Sequence, residues 1–356
     1  VLDALTKQFA AAQPLSAEQA CAAVEGLTDE RVSAQVKADF LVALAHKGES
    51  PAEMAAFATA LREKSLPPPL DAATRSREIL DVVGTGGDRL STFNISTTVA
   101  LLCAAAGVIV AKHGNRAVTS SVGSADVIEA LGIPVNLSPA AAAAALGEHG
   151  FAFLFAPNFH PAFKHIAPAR KLCAERGQRT IFNLLGPLLN PARPSAMLVG
   201  VPRPELCEPM ARALQALGVR RGMVVCGQVS PDGDSALRTP HSAFFLDELS
   251  TLGANHVAEF YHERGFTQSV LTLENFPLQP ATLADLRGGD KLVNAEIVRQ
   301  ILRGTERGPK RDAVLLNAGA ALFVAGKAKS LAEGWELAGE TIDSGAAAAK
   351  LAELAG

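Results

Sequence analysis

Three polar clusters stand between residues 81 and 132: Gly84-Thr85-Gly86-Gly87-Asp88, Asn94-Ile95-Ser96-Thr97-Thr98 and Lys112-His113-Gly114-Asn115-Arg116. Their residue types suit an anion. Glycines, having no Cβ, let the backbone turn tightly and bring N–H groups close to phosphate oxygens. Ser96 and Thr97 precede an apolar, alanine-rich helix that ends at Gly107. Their hydroxyls can satisfy that helix's orphan donors, or turn to a phosphate or metal ion. Lys112, His113 and Arg116 add positive charge on the same side. A glycine turn or an N-cap alone is ordinary. Three such clusters at the ends of one unit point to phosphate.

The runs 79–83 and 108–111 read as buried parallel strands, each bounded by glycine or polar turn residues. With the helix between them they form a βαβ unit. It delivers both loops to the carboxyl ends of neighbouring strands, where open α/β sheets bind ligands.

Residues 1–66 read as helices. Leu2, Leu5 and Phe9 have helical spacing, and Ser16 to Gln19 resembles a capping box. A third helix is predicted over 29–47, with Phe40, Leu41 and Leu44 on one face and Gly48 as its stop. Pro51 opens a fourth through Met54, Phe57 and Leu61. Pro67-Pro68-Pro69 reads as a semi-rigid linker. This small helical domain, over 1–70, has no glycine loop or titratable cluster, so scaffold or dimer interface is its expected role.

The α/β domain is expected over 75–356. A helix over 138–146 leads to a strand over 151–155, which empties into a loop at 156–161; Lys164 and Arg170 follow on a helix. The apolar segment 179–191 carries two proline stops. Strands at 197–201 and 223–226 flank a helix near 204–217, and two or three helices are expected from 294 onward. Arg311-Asp312 and Asp343-Ser344 read as surface or interdomain pairs.

The chain has 356 residues, 48% hydrophobic and 19% charged, with net charge −3. That balance offers no global attraction to nucleic acid or to an anionic membrane. The five cysteines lie far apart with no CxxC pair. Buried reduced thiols, rather than zinc or disulfides, are therefore expected. The first twenty residues carry charges where a signal peptide needs an apolar core, and no run approaches the ~18 apolar residues of a membrane span. A soluble, cytoplasmic protein is the expectation.

Seven segments carry a family resemblance, in order and nearly in spacing: GTGGD, NIST, KHGNR, GSADVIEALG, FAPNFHPAFK, RTIFNLLGPLLNP and GPKRDAVLLNAGAALFVAGKAKSLAEG. They closely resemble the anthranilate phosphoribosyltransferase family, of the nucleoside-phosphorylase-like class III phosphoribosyltransferases, and the similarity runs from end to end. The resemblance implies a large α/β domain with a central, mostly parallel sheet flanked by helices. The small helical domain would be joined by helices from about 170–195 and form a homodimer contact. It also implies transfer of a phosphoribosyl group from phosphoribosyl pyrophosphate to anthranilate in tryptophan biosynthesis, with Mg²⁺, two ions being expected.

By similarity, Gly84, Gly87, Asp88, Thr92, Asn94, Ile95, Ser96, Thr97, Lys112, His113, Gly114, Asn115, Arg116, Ser120 and Ser124 line the phosphoribosyl pyrophosphate site. Gly84, Asn115, Pro157, His160, Phe163 and Arg170 match the anthranilate site, Arg170 being the natural carboxylate partner. Ser96 and the Asp247-Glu248 pair would hold the metal. No catalytic acid or base is implied. An aromatic amine is neutral at pH 7, so electrostatic stabilisation, by Lys112 and Asn115 among others, suffices.

The chain departs from the family pattern in places. Nineteen residues separate Gly227 from Asp247, where the family has a few. This insertion, around 228–245, would form a hairpin or lid and makes Asp232 and Asp234 rival carboxylates. Cys226 replaces a usual His, Arg89 a common Gly and Thr119 a frequent Ser, while the 173–177 stretch is about three residues longer. Two other readings stay open. One is a transferase for another aromatic acceptor or a pyrimidine nucleoside phosphorylase. The other is a non-enzymatic relative that binds nucleic acid or regulates a protein. Asp247-Glu248 and the net charge speak against the last.

Overall fold

Ser16, Ser33 and Ser50 each start a helix in the same way: the side-chain oxygen accepts the backbone N–H three residues on. These caps define α2 (Ala17–Thr28), α3 (Ala34–Lys47) and α4 (Pro51–Glu63), behind α1 (Leu2–Phe9). Helix α3 begins five residues later than its pattern predicts. Asp29 instead closes α2 by donating its N–H to Glu25, and its carboxylate then holds the Arg31 backbone N–H and guanidinium. The computed structural model describes residues 1–116, 122–229, 244–262 and 265–356.

After a single-turn α5 (Ala72–Arg75), the chain enters the sheet. Its strands are β1 (Ile79–Gly84), β2 (Ile109–Gly114), β3 (Phe151–Phe155), β4 (Ala196–Gly200), β5 (Arg221–Val229), β6 (Phe244–Leu246), β7 (Asn255–Tyr261) and β8 (Gly265–Leu271). Their order is β3-β2-β1-β4-β5-β7-β8, with β6 on β5. Pairs among β1 to β5 are parallel, and β5 pairs antiparallel with β6 and β7, as does β7 with β8. The chain leaves β1 toward β2 on one side and later returns through β4 on the other. The strand order therefore reverses at β1 and β4, whose carboxyl ends are the expected ligand position in such sheets.

Helices cover both faces. One apolar core joins the sheet to α6 (Ile95–Ala105), α7 (Ser124–Ala130), α13 (Lys291–Leu302), α14 (Pro309–Val324), α15 (Leu331–Asp343) and α16 (Ala346–Ala355). The other core joins it to α1 to α4, α10 (Ala167–Glu175), α11 (Phe182–Leu185) and α12 (Cys207–Ala216). Helix α8 (Pro139–His149) packs under β3 with a smaller cluster. The tail thus contains four helices rather than two or three; Gly345, at φ 83°, breaks the last one from α15. The 156–161 stretch is not an open loop. Pro157 starts a short helix α9 (Ala156–Phe159), followed by a 3-10 turn over Pro161–His165 that carries Lys164. Arg311 does not stay at the surface: only 8% exposed, it makes a two-pronged ion pair with Asp343. Cys21 is exposed, whereas the other four thiols are buried as expected. Among the described residues no helix is long and apolar enough to cross a membrane.

Candidate active site

Strand β1 ends at Gly84 and β4 at Gly200, paired in register, and the segment after β6 lies across both. A Cβ on Gly200 would overlap the Asp247 carbonyl, and one on Gly84 would overlap the Asp247 carboxylate. Only glycine admits this approach, and it places Asp247 over the strand ends. Asp247 Oδ2 accepts the Gly86 N–H at 2.6 Å, across the left-handed turn of Gly86 and Gly87 (φ 73° and 93°). Glu248 Oε1 accepts the Ser96 N–H at 3.2 Å, at the first turn of α6. The two carboxylates thus hold the glycine loop and the start of α6, two of the three clusters that the sequence singles out.

Burial raises the pKa of both. Asp247 lies well above the usual carboxylate range, since Asp88 and Glu248 stand nearby and only the Gly86 N–H offsets them. Glu248 is pushed up to about 7 by burial and by Asp88, against the pull of Lys112 and Ser96. Carboxylates that raise one another's pKa call for a cation. The donors here are hard oxygens: two carboxylates and, beside Glu248, the Ser96 hydroxyl. That set fits Mg²⁺, which takes few protein ligands and fills its octahedron with water and phosphate. Among the described residues no cluster of three metal-binding side chains is assembled.

Lys112 and His113 do not lie in a loop. Strand β2 runs on through Gly114, so both are strand residues with buried side chains. Lys112 Nζ donates to the Val82 carbonyl at 2.7 Å, flanked by the charges of Asp81 and Glu248. Arg116, expected on the phosphate, binds Asp126 at 2.8 Å and Glu129 at 3.0 Å on α7. Asn115 and Ser124 stay together, the Ser124 hydroxyl 3.4 Å from the Asn115 carbonyl. Asp88 accepts the Leu90 N–H, and Arg89 sits at φ 61°, which explains why glycine suits that position. Asn94 Oδ1 is held by Asn294 Nδ2 at 2.9 Å. Thr92 bridges to Arg287, and Ile95 points into the core and offers only its backbone. The Thr97 hydroxyl is buried without a partner among the described residues. Gly114 leaves no room for a Cβ between Ser124 and Phe153. Ser120, Thr119, Asp232 and Asp234 lie outside the described residues. A cavity of about 570 Å³ opens beside this cluster, between Ser91, Asp126 and 288–291, and none of the candidate ligands lines it.

The acceptor candidates form a ladder of rings. His113 meets His160 at 5.1 Å, His160 meets Phe163 at 5.4 Å, Phe163 meets Phe182 at 5.7 Å, and the Arg170 guanidinium lies 5.4 Å over Phe182. Arg170, on α10, has no carboxylate partner among the described residues, and burial lowers its pKa. Pro157 is exposed at the start of α9. Burial pulls His113 down to about 3 and His160 to about 4, so both rings are neutral at pH 7.

Sequence reasoning passes over Phe182, Asp81, Asn190 and Arg62. Asp81 is fully buried in the middle of β1, and burial raises it to about 6 against Lys112 and Asn190. Asn190 Nδ2 donates both to Asp81 at 2.8 Å and to the Ala111 carbonyl at 2.7 Å, stapling β1 to β2. Arg62, on α4, is buried nearby; burial and Arg193 lower its guanidinium to about 10, with Asp81 acting the other way. The available signal is a charged residue inside an apolar run.

A glycosyl transferase family matches this chain twice, its helical bundle domain over residues 3–65 and its a/b domain over 76–348. The anthranilate phosphoribosyltransferase of Thermomicrobium roseum is 45% identical over 358 residues, spanning 99% of this chain and 96% of its own. That of Geobacter sulfurreducens is 46% identical over 331 residues, 90% and 89% of the two chains. The crystal structure of anthranilate phosphoribosyltransferase from Thermus thermophilus superposes with a TM-score of 0.85 at 44% identity, over 98% of each chain. The Saccharomyces cerevisiae enzyme in complex with PRPP and Mg follows at 0.84 and 27%, over 99% of this chain and 96% of its own. Near-complete coverage by both halves of one family, at these identities and with the same fold, makes this chain a member of the anthranilate phosphoribosyltransferases.

Proposed function

We propose that this chain transfers the 5-phosphoribosyl group of phosphoribosyl pyrophosphate to the amine of anthranilate, releasing pyrophosphate, as a step of tryptophan biosynthesis. The observation that carries the reading is the meeting of Asp247-Glu248 with the Gly86 and Ser96 backbone at the strand ends. The ring ladder ending in Arg170 supports an aromatic, carboxylated acceptor.

In the proposed reaction the C1–O bond to pyrophosphate breaks, its electron pair leaving with the oxygen. The amine lone pair forms the C1–N bond, and one amine proton passes to solvent. The glycine loop and the start of α6 bind the phosphates through backbone N–H groups and hydroxyls, while Lys112 and Asn115 supply electrostatic stabilisation. Arg170 orients the acceptor through its carboxylate, and the rings of His160 and Phe163 hold the aromatic face. Neutral histidines fit a binding role, and no proton acceptor stronger than water is needed. Asp247, Glu248 and Ser96 would hold Mg²⁺, two ions being expected, whose charge would help neutralise the departing pyrophosphate.

The reading extends to the assembly. The helical part, 1–70 joined by segments from about 170–195, forms a homodimer contact, the rest from 75 onward forms the catalytic domain, and the protein works in the cytoplasm. Packing of Ile166, Ala169, Cys173 and Ile181 with the cores of α1 to α4 supports that joining.

The test is the decay of anthranilate fluorescence with purified protein, phosphoribosyl pyrophosphate and Mg²⁺. Decay that requires all three is the expected result. Binding of phosphoribosyl pyrophosphate without anthranilate consumption would mean another acceptor. A fixed molecular weight across dilution, at the mass of one chain, would refute the homodimer.

A further inference from the structure

The segment between α10 and α11 belongs to neither loop of the phosphate site, yet it reaches that site. Arg179 Nη2 lies 3.5 Å from the Gly87 carbonyl, across 92 residues of sequence, and equally close to where a Gly87 Cβ would stand. The contact is too long to fix the guanidinium. Arg179 is exposed and, among the described residues, has no carboxylate partner, although many other arginines of this chain do. It stands beside the loop that bears Asp88. Three residues on, Phe182 packs under Arg170 and against Phe163. One short stretch thus touches both halves of the cleft. Its conformation is fixed locally: the Thr180 N–H donates to Asn183 Oδ1 at 2.9 Å, and Ile181 and Phe182 are buried.

The charge balance shows what a cation there can do. Near the glycine loop stand three carboxylates, Asp88, Asp247 and Glu248, and one buried lysine, Lys112. Arg116, the other cation of the KHGNR cluster, is already held by Asp126 and Glu129. A diphosphate settling on this loop meets little positive charge from the large domain's own strand ends. A planar guanidinium with several donors, delivered from the helical side, is suited to bridging two phosphate oxygens.

We propose that Arg179 is a substrate-binding residue of the reaction, grasping the diphosphate end of the donor over the Gly86-Gly87 turn and making the site prefer a diphosphate to a single phosphate. The inference rests on the donor named above being a phosphoribosyl diphosphate. Its contact with pyrophosphate persists into the product state, so it influences both donor binding and product release.

The experiment compares wild type, Arg179→Ala and Arg179→Lys. Steady-state turnover is measured with each substrate varied, and Mg-pyrophosphate and inorganic phosphate are titrated as inhibitors. Arg179→Ala is expected to raise the KM for phosphoribosyl pyrophosphate and the Ki of pyrophosphate in parallel, each by about tenfold to a hundredfold. The KM for anthranilate should stay within about twofold and the phosphate Ki should barely move, while Arg179→Lys recovers part of the loss. Donor KM and pyrophosphate Ki both unchanged would overturn the proposal. So would a fall in melting temperature with both substrates' KM rising together, the mark of a merely structural clasp. Calorimetric binding of Mg-pyrophosphate to wild type and Arg179→Ala separates the two levels of inference. If wild type consumes no anthranilate yet binds pyrophosphate more tightly than the variant, the acceptor reading fails and this one stands. Equal affinities would end it even in an active enzyme.

Discussion

The two halves of the cleft are made of different material. The half proposed for phosphate is mostly main chain: the Gly86-Gly87 turn and the start of α6, whose Gly86 and Ser96 N–H groups Asp247 and Glu248 engage. The half proposed for the acceptor is side chain: rings of His160, Phe163 and Phe182 on short turns and the guanidinium of Arg170 on α10. Backbone donors at the ends of a packed sheet are fixed before any ligand arrives. These side chains are packed by their neighbours, yet each can be exchanged without removing a ladder bond of the sheet. On the proposed function, the metal and diphosphate chemistry would reside in the fold, and acceptor choice in side chains that can be exchanged without removing a ladder bond.

That division can be broken at its strongest point first. Asp247→Ala with Glu248→Ala removes the carboxylates that tie both loops, and turnover should fall by about a thousandfold or more, roughly 4 kcal/mol of barrier; fluorescence decay at saturating substrates measures it. Retention of more than about a tenth of the rate would mean the loops hold themselves.

Arg170→Ala tests the other half. It should lower kcat/KM for anthranilate by about a hundredfold, in line with ~1.5–3 kcal/mol for a charge-assisted bond. The KM for phosphoribosyl pyrophosphate should stay within about twofold. Equal effects on both substrates would erase the distinction between the halves.

Gly200→Ala sharpens it, because the added methyl presses on the Asp247 backbone without removing a functional group. About a tenfold loss in kcat/KM for the donor is expected, with a destabilisation of ~1–3 kcal/mol seen in urea unfolding. The smallest effect concerns His160. Its folded pKa of about 4 lies below the ordinary 6.5, so its share of stability is present above pH 6.5 and lost as pH falls toward 4. His113 acts with the same sign. Asp81 acts oppositely: raised to about 6, its share is intact below about 3.8 and lost as pH rises through 6. His160→Gln should flatten the acid limb of stability against pH, and subtracting the two curves cancels Asp81. An unchanged acid limb would mean that His160 is protonated freely in the folded state.

The same contrast explains what is legible in the sequence. Glycine and hydroxyl clusters announce backbone sites, so GTGGD and NIST can be read directly, as can the caps at Ser16 and Ser50. Lys112 and His113 read as loop because an apolar run marks where a strand is greasy, not where its hydrogen bonds stop. A buried lysine held by Val82 extends β2 past the last hydrophobic residue. Arg116 resembles a phosphate ligand by position alone, but Asp126 and Glu129 lie one and two turns along α7, a competition that no linear spacing reveals. Phe182 is hidden inside a mostly apolar run. Its role depends on α10 folding back over it, a tertiary fact. Asp81 is in plain view, yet the strand reading absorbs it.

The hairpin stem of β5 and β6 carries a consequence for how this family can vary. Gly227 pairs with Leu246 and Val229 with Phe244, so the chain re-enters at a position set by cross-strand bonds, one residue before Asp247. Whatever length of chain joins 229 to 244, the stem returns the carboxylates to the same spot above Gly84 and Gly200. The stem behaves as a collar: cross-strand bonds between 227–229 and 244–246, together with the two glycines, fix where the carboxylates re-enter.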